Sequence, residues 1–509
     1  MTNKILSIGL LGLNCFLVEV EADISGGLPN FTIVGLGDAS VQESKERVRS
    51  ALKNSGFDFP QSRKTINLAP AEMKKQGALY DFPIAVALLK ASNQIDYSDF
   101  EKSVFIGELS LSGNLKPITG ALSITEFVKS QNYSKIFIPK ANFAEASLIS
   151  GLEIIPLESL KDFVDYTKNP TNYISVKKTE ISNEVLSQKP AFSGISGHEF
   201  AKRALCVVAS GAHSLLLDGP PGCGKTLLAR SVSDILPPLS TEEMLLSTKI
   251  FSISGLLDPK IPIIRERPFR EVNPTASLVS IIGGGVKYPR PGEITLAHNG
   301  VLYLDEIPEF PRKSIESLRQ PFEDRKIIIN RSNFSISFPA NFILLASKNP
   351  CPCGYLNSEK KRCICSDTQI QNYKKRLSGP ILDRFDMYLQ LEDQVLHKTI
   401  FKEEKQNIPS EPDYRNLINT ALERQKFRFK DEGKIRRNSE MTLNQIKKYC
   451  KFEEKALNAL KNASATLSLS SRAYLKTIKL SQTLSDLSGS EKIGEAQINE
   501  ALQYRYRGE

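Results

Sequence analysis

The segment LLLDGPPGCGKTLLARSV (Leu215–Val232) constrains the fold more than any other stretch of the 509 residues. The apolar run SLLL leads into GPPGCGKT, and the apolar-periodic LLARSVSDIL follows, so the order is strand, glycine-rich turn, helix. Glycines let backbone amides close around an anion, and the N-terminus of the following helix adds a favourable dipole. The spacing G-x-x-x-x-G-K-T assigns Gly219, Pro220, Pro221, Gly222, Cys223, Gly224, Lys225 and Thr226 to a loop that cradles the phosphates of ATP. Lys225 is placed to reach the β- and γ-phosphates, and the Thr226 hydroxyl to ligate Mg²⁺. Many unrelated machines hold nucleotides this way, so what the energy drives must be read elsewhere.

GVLYLDEIPEF (Gly300–Phe310) is an apolar strand tipped by two acids. Asp305 suits Mg²⁺ binding through water, and Glu306 suits polarising the attacking water. A solvated acidic turn is the plainer alternative. FILLASKNP ends in Asn349, set to orient that water from the next strand tip; taken alone, an Asn before Pro is a turn former. LSGPILDRFDMYL carries Arg384 and LSSRAYLKTIKLSQTL carries Arg472. Isolated arginines are ordinarily surface residues, but their order after the two phosphate motifs makes them candidates for stabilising transition-state charge.

A chain this long exceeds one hydrophobic core, so two or three domains are expected. Residues 1–170 alternate short apolar runs with helical patterns, as in a mixed α/β domain whose opening residues form a first strand. Thr167–Gly194 lacks periodicity and reads as a linker, with 171–190 at its centre. Residues 191–395 alternate strands and helices around the phosphate loop, as in a parallel-sheet domain. Residues 396–509 are charged, Gly-poor and helical, which suits a bundle. With 40% hydrophobic and 24% charged residues the composition is ordinary for a globular protein. No run of eighteen apolar residues and no convincing secretory signal are present, so the expectation is a cytoplasmic protein with no membrane partner.

The net charge of +10 fits either a well-solvated surface or attraction to polyanions. Two alternating strands flank NRSN within Leu318–Phe342, a hairpin signal. SIIGGGVKYPRPG offers flexible glycines with Lys287 and Arg290. Four of the eight cysteines, Cys351, Cys353, Cys363 and Cys365, form C-x-C-x₉-C-x-C. Four thiolates can close a tetrahedral, structural Zn²⁺ site; free thiols or a redox role use the same residues. Lys360, Lys361, Arg362, Lys374, Lys375 and Arg376 surround them, enough charge to grip a nucleic-acid backbone; stabilising an insertion is the plainer alternative.

From about Phe192 to Leu487 the chain resembles an AAA+ ATPase of the branch with a hairpin before the first sensor and an insert in helix 2. GEITLAHNGVLYLDEIPEF, NPCPCGY, LSGPILDRFD and LSSRAY are similar to the ComM/YifB family, often labelled magnesium-chelatase-like. The resemblance implies a sensor-1 role for Asn349, an arginine finger in Arg384 and sensor 2 in Arg472. The finger, with sensor 2, would act on a neighbouring subunit's ATP, which implies a homo-hexameric ring. It also makes Arg331 at the hairpin tip, with Lys287 and Arg290 in the insert, candidate DNA contacts. FSGISGHEFAKRAL resembles the adenine-contacting segment, with His198 where the family usually has Gln. Asn273 and Pro274 replace the family's paired histidines.

PAEMKKQGALYDFPIAVALL and IGELSLSGNLKPITGAL resemble the proteolytic domain of Lon, also found without peptidase activity in RadA-type recombination proteins. Asp81 stands in place of the nucleophilic Ser and Leu122 in place of its Lys, while Lys74 and Lys75 lie nearby. A carboxylate forms no ordinary acyl-enzyme and Leu takes no proton, so the domain is expected to be an inactive scaffold or a DNA-binding and ring-building module, not a peptidase. The fold class implied is therefore α/β: a Lon-protease-like α/β domain, an AAA+ P-loop parallel-sheet domain with pre-sensor-1 hairpin and helix-2 insert, and a C-terminal helical lid. The activity implied is that of an ATP-dependent DNA helicase promoting branch migration in recombination during natural transformation, acting on single-stranded, forked or branched DNA. The alternatives are a magnesium chelatase-type motor for metal insertion and an ATP-switched scaffold that does not translocate.

Overall fold

The computed structural model describes residues 4–170, 191–193, 195–285, 289–331, 334–356, 358, 361–392, 413–433 and 435–505. The linker core 171–190 and Lys287 lie outside the described residues.

The opening residues make two strands where the sequence suggests one. Lys4–Leu11 turns at Gly12 and pairs antiparallel with Asn14–Ser25. Gly12 holds φ +63°, a left-handed conformation that glycine adopts without strain. The pair sits inside a mixed seven-stranded sheet that runs from Asn30–Val34 at one edge to Glu153–Leu157 at the other. Helices Ala39–Asn54 and Asp81–Ala91 cover one face; Val41, Val48, Ala51 and Leu52 of the first recur at helical spacing and are all buried. The last helix, Leu160–Lys168, takes in Thr167 and Lys168, which the sequence pattern assigned to the linker.

The second sheet has five strands in the order Phe269–Val272, Val301–Leu304, Ile343–Lys348, Leu215–Asp218, Met387–Gln390, and every pairing is parallel. Ile343–Lys348, the strand that leads to Asn349, is therefore central, and the phosphate-loop strand Leu215–Asp218 lies between it and the edge strand Met387–Gln390. Such strands are buried on both faces, hence their continuous apolar runs. Parallel register also brings the carboxyl ends of three strands to one edge, where a ligand crevice forms.

The hairpin expected within Leu318–Phe342 is present as Lys326–Arg331 and Phe334–Pro339, with Arg331 paired to Phe334 at its tip. The glycine segment makes a two-residue pairing, Gly283–Gly284 with Arg290–Pro291, so Arg290 lies on a short ribbon and is exposed. Helices Tyr414–Arg428, Leu443–Tyr449, Glu454–Thr466, Ser471–Leu487 and Glu495–Gln503 make up the C-terminal region. The architecture is the α/β class with a Lon-like first part, an AAA+ parallel sheet and a helical C-terminal part.

The first part docks on the second. Leu122, Leu148 and Ile149 bury against Leu239, Met244 and Ile263. Gly120 N donates to Ser252 Oγ at 2.8 Å, and Lys249 pairs with Glu126. A Cβ added at Gly12 would lie 2.5 Å from Ile336 Cγ2, so the Gly12 turn rests directly on the hairpin.

In the Lon-like part, Asp81 is fully buried and occupied by structure. It accepts from Arg47 Nε at 2.6 Å, from Leu109 N at 3.3 Å and from Ser44 Oγ. Burial pushes its carboxyl up, opposed chiefly by Arg47. Lys75 is also buried, and its Nζ donates to Pro70 O. Leu122 lies in the interface between the two parts. A carboxylate held by Arg47 and a lysine spent on a backbone carbonyl form no nucleophile–base pair.

Candidate nucleotide site

The phosphate loop closes around its own lysine. Gly222 and Gly224 hold φ of +79° and +88°, the left-handed conformations that turn the chain back toward the helix Lys225–Ile235. A Cβ at Gly219 would lie 2.9 Å from both Cys223 Sγ and Leu391 O, so only glycine lets the strand enter the turn. Lys225 is 9% exposed, and its Nζ donates to Gly219 O at 2.7 Å, Pro220 O at 2.9 Å and Asn349 Oδ1 at 3.0 Å. Desolvation pulls its pKa below the usual lysine value, while nearby Cys223 and Asp305 pull the other way. A buried ammonium held, among the described residues, by neutral oxygens is a site that favours an incoming anion.

The acid pair faces it. Tyr303 OH donates to Asp305 Oδ1 at 2.8 Å and lies 3.4 Å from Thr226 Oγ1, so it links the two candidate Mg²⁺ ligands. Ser347 Oγ donates to Asp305 Oδ1 at 2.5 Å and accepts from Glu306 N at 2.9 Å. Glu306 is left-handed, φ 51° and ψ 52°, a strained position for a non-glycine residue that aims its carboxylate off the strand axis. Asn349 Nδ2 reaches Glu306 Oε1 at 3.3 Å. The structure thus brings Lys225, Thr226, Asp305, Glu306 and Asn349 together in one crevice. A hydroxyl and a carboxylate are the hard oxygen donors that Mg²⁺ takes, so these residues fit the ion.

Tyr303 and Ser347 carry no motif of their own. Strand periodicity was the available signal, since Tyr303 shares a face with Asp305, and Ser347 with Asn349, two positions on. His198 begins the helix Glu199–Gly211 and hydrogen-bonds the backbone of Cys223, beside the loop. Asn273 follows the strand Phe269–Val272, and its carbonyl accepts from Ala276 N at 3.0 Å, closing a turn onto Pro274.

Arg384 and Arg472 lie elsewhere. Both line a cavity of about 670 Å³ to which no residue of Gly219–Thr226 contributes. Arg267, Arg325, Arg436 and Arg437 share its walls. Burial and the Arg267 charge push the Arg437 guanidinium down to about 10. Arg384 donates through Nη2 to Glu323 Oε1 at 2.7 Å and through Nη1 to Pro380 O at 2.7 Å. Arg472 is exposed, with no hydrogen-bond or ion-pair partner among the described residues. One turn further along its helix, Lys476 Nζ donates to Phe385 O at 2.7 Å and to Asp383 O, the carbonyls on either side of Arg384. The helix that carries Arg472 is therefore tied to the backbone on either side of Arg384.

The four cysteines converge. Their Sγ atoms all lie within 4.8 Å of one another, with Cys351 to Cys353 at 3.4 Å, Cys351 to Cys363 at 3.7 Å and Cys353 to Cys363 at 3.6 Å. Tetrahedral Zn–S bonds of about 2.3 Å place sulfurs about 3.8 Å apart, so the donor set fits Zn²⁺. Backbone N–H groups of Ile364 and Tyr355 draw the Cys353 thiol down to about 6. The cluster touches the nucleotide loop, since a Cβ at Gly354 would lie 2.5 Å from Pro221 Cδ. Lys361 stacks on Tyr355 at 5.2 Å, and Arg376 pairs with Glu309 at 2.5 Å. Lys360 and Lys287 lie outside the described residues, as does the side chain of Arg331.

A phosphate loop after one strand, an acid pair after the strand two places away and an asparagine after the strand between them define a P-loop ATPase of the AAA+ type. Comparison with known proteins agrees. Residues 191–399 match the family described as magnesium chelatase, subunit ChlI; residues 20–142 match subunit ChlI of Mg-chelatase; residues 410–505 match its C-terminal part. The YifB protein of Escherichia coli is 39% identical over 499 residues, covering 97% of this chain and 95% of its own. The competence protein ComM of Haemophilus influenzae is 38% identical over 507 residues, covering 97% and 96%. Lon protease 2 of Bacillus subtilis is 26% identical over 211 residues, 36% of this chain and 37% of its own. The chain belongs to the magnesium-chelatase-like family that includes YifB and ComM, and this membership supports an ATPase. No described helix is long and apolar enough to cross a membrane.

Proposed function

We propose that the chain is an ATP-dependent DNA translocase that assembles as a ring, a homo-hexamer, and drives branch migration of recombining strands. The observation that carries this reading is the separation of Arg384 and Arg472 from the phosphate loop of their own chain. A finger that cannot serve its own nucleotide has a use when a second copy presents one, and a closed ring supplies that copy to every subunit. The similarity to a competence protein supports DNA as the polymer moved.

In this reading residues 1–170 are a Lon-like scaffold, 171–190 a linker, 191–395 the ATPase core with its cysteine insertion, and 396–509 the lid. Lys225 leaves its loop carbonyls for the β- and γ-phosphates. Thr226 and Asp305 would hold the Mg²⁺ that accompanies ATP, and its charge offsets that of the phosphates. Glu306, aligned by Asn349, takes a proton as water adds to the γ-phosphorus, the bond to the β–γ bridging oxygen breaks, and ADP and phosphate leave. Arg384 and Arg472 of the adjacent subunit neutralise the charge that develops on the γ-phosphoryl oxygens. The hairpin tip at Arg331, with Lys287 and Arg290 of the insert, contacts the DNA backbone, and such contacts are indifferent to sequence. Cys351, Cys353, Cys363 and Cys365 would hold a structural Zn²⁺ beside the loop.

The test is a labelled forked or four-way DNA incubated with the purified chain, with and without ATP. Strand displacement or branch movement that requires ATP supports the reading. ATP turnover indifferent to any polynucleotide overturns it and favours a motor for metal insertion. DNA-stimulated turnover without displacement favours an ATP-switched scaffold.

A further inference from the structure

Glu323 belongs to none of the phosphate motifs, yet it holds Arg384. It lies on the helix Arg319–Asp324, which ends in Arg325, left-handed at φ 54°, and passes directly into the hairpin strand Lys326–Arg331. Ala340 N donates to Arg325 O at 2.8 Å, so this same point closes the base of the hairpin. Glu316, on the preceding helix Arg312–Ser317, makes a second tie, accepting from Ser378 Oγ at 3.0 Å just ahead of the Arg384 segment. The finger segment is thus fastened to the root of the hairpin at two points, one of them ionic.

The ionic point is asymmetric. The Arg384 side chain is 15% exposed while that of Glu323 is 55% exposed. Arg384 Nε is buried without a hydrogen-bond partner among the described residues, so Glu323 and Pro380 do not use the whole guanidinium fork. An ion pair this exposed is weak and yields readily to a stronger anion. A phosphate offers the same planar fork more oxygens and more charge than one carboxylate does.

We infer that Glu323 is the resting partner of Arg384, exchanged for a neighbouring subunit's γ-phosphate when ATP arrives. This positioning residue then couples the occupancy of that site to the base of the hairpin. The inference rests on the reading of Arg384 as a finger acting between subunits. With the finger docked on Glu323, the hairpin root is tied down; with the finger on phosphate, the ionic tie is released and the hairpin is free to shift along its cargo. A phosphate and a carboxylate beside one guanidinium repel each other, so nucleotide state and hairpin position become mutually dependent.

The experiment measures ATP turnover of the full chain, without DNA and with forked DNA, for the wild type, Glu323→Gln, Glu323→Ala and Arg384→Ala. Freed of its competitor, the finger engages sooner. Both Glu323 variants should therefore raise DNA-free turnover, about two- to fivefold for an ion pair of this exposure, and should narrow the further stimulation by DNA. Arg384→Ala should lose turnover in both conditions. DNA-free turnover that stays at the wild-type rate in both Glu323 variants, or falls while DNA stimulation persists, overturns the role of Glu323 and leaves the finger standing. Wild-type turnover by Arg384→Ala overturns the finger itself and the inference with it.

Discussion

Asn349 bridges the phosphate-loop lysine and the candidate general base: its Oδ1 accepts from Lys225 Nζ at 3.0 Å while its Nδ2 donates to Glu306 Oε1 at 3.3 Å. The two contacts share one planar amide, so moving either partner shifts the plane that the other holds. A nucleotide that draws Lys225 onto its phosphates also frees the Asn349 amide to reorient beside Glu306. One side chain thus touches both Lys225 and Glu306.

Replacing Lys225 by Ala removes the only ammonium in the loop while leaving backbone amides in place. ATP affinity should fall roughly ten- to hundredfold, the range for a charged hydrogen-bonding group facing an anion. Equilibrium binding of a fluorescent ATP analogue measures it, and affinity equal to the wild type would remove Lys225 from the site.

Glu306→Gln keeps the shape of the side chain and its place after the strand Val301–Leu304, but cannot take a proton. Binding should persist while turnover falls by about two to four orders of magnitude. Phosphate release under saturating ATP is the readout, and turnover at the wild-type rate contradicts a base at this position.

Arg384→Ala and Lys225→Ala are each expected to be inactive alone. In mixed assemblies, an intact finger from a Lys225→Ala subunit faces an intact loop of an Arg384→Ala subunit. Mixing should restore part of the lost hydrolysis. No recovery at any ratio would mean that Arg384 serves its own nucleotide, against its placement in a cavity apart from the loop.

Protein purified anaerobically should contain about one zinc per chain. Cys363→Ser should lose the metal and lower the thermal midpoint. Because Gly354 packs on Pro221, the same variant should weaken ATP binding as well. Metal-free wild-type protein of unchanged midpoint would show that the thiols have another use.

His298 is 7% exposed, and burial pushes its imidazole down to about 4. Its Nδ1 accepts from Asn341 N at 2.9 Å, which requires the neutral ring. An unfolded chain takes up this proton near pH 6.5, before the folded one does. The contribution is thus present in full above about pH 6.5 and is lost as pH falls toward 4, by about 3 kcal/mol at most. Urea unfolding of the wild type and His298→Asn at pH 7 and pH 5 measures it. The advantage of the wild type should shrink at the lower pH, and a constant difference would refute the assignment.

Much of the molecule was legible in the chain itself. Local spacing alone set the phosphate loop, because a strand, three glycines and a helix start form within a dozen residues and need no distant partner. The alternating pattern of the hairpin and the 3.6-residue period of Ala39–Asn54 were legible for the same reason. The first strand proved to be two, since the period of a strand does not show where Gly12 lets it reverse. Tyr303 and Ser347 went unremarked because a phenol or a hydroxyl on a strand face acquires a role only when the neighbouring strand brings Asp305 beside it.

The sequence by itself determined the strand, glycine turn and helix of the phosphate loop, the hairpin and the pairwise spacing of the four thiols, all of which are encoded by residues close together along the chain. Only the tertiary structure decided that Arg384 and Arg472 line one cavity away from the loop, that Lys476 holds the carbonyls on either side of Arg384, and that Glu323 ties Arg384 to the base of the hairpin. Those contacts join residues separated by dozens of positions. A pattern of spacing carries no term for such separations, and the packing of the sheet against the helical region supplies it.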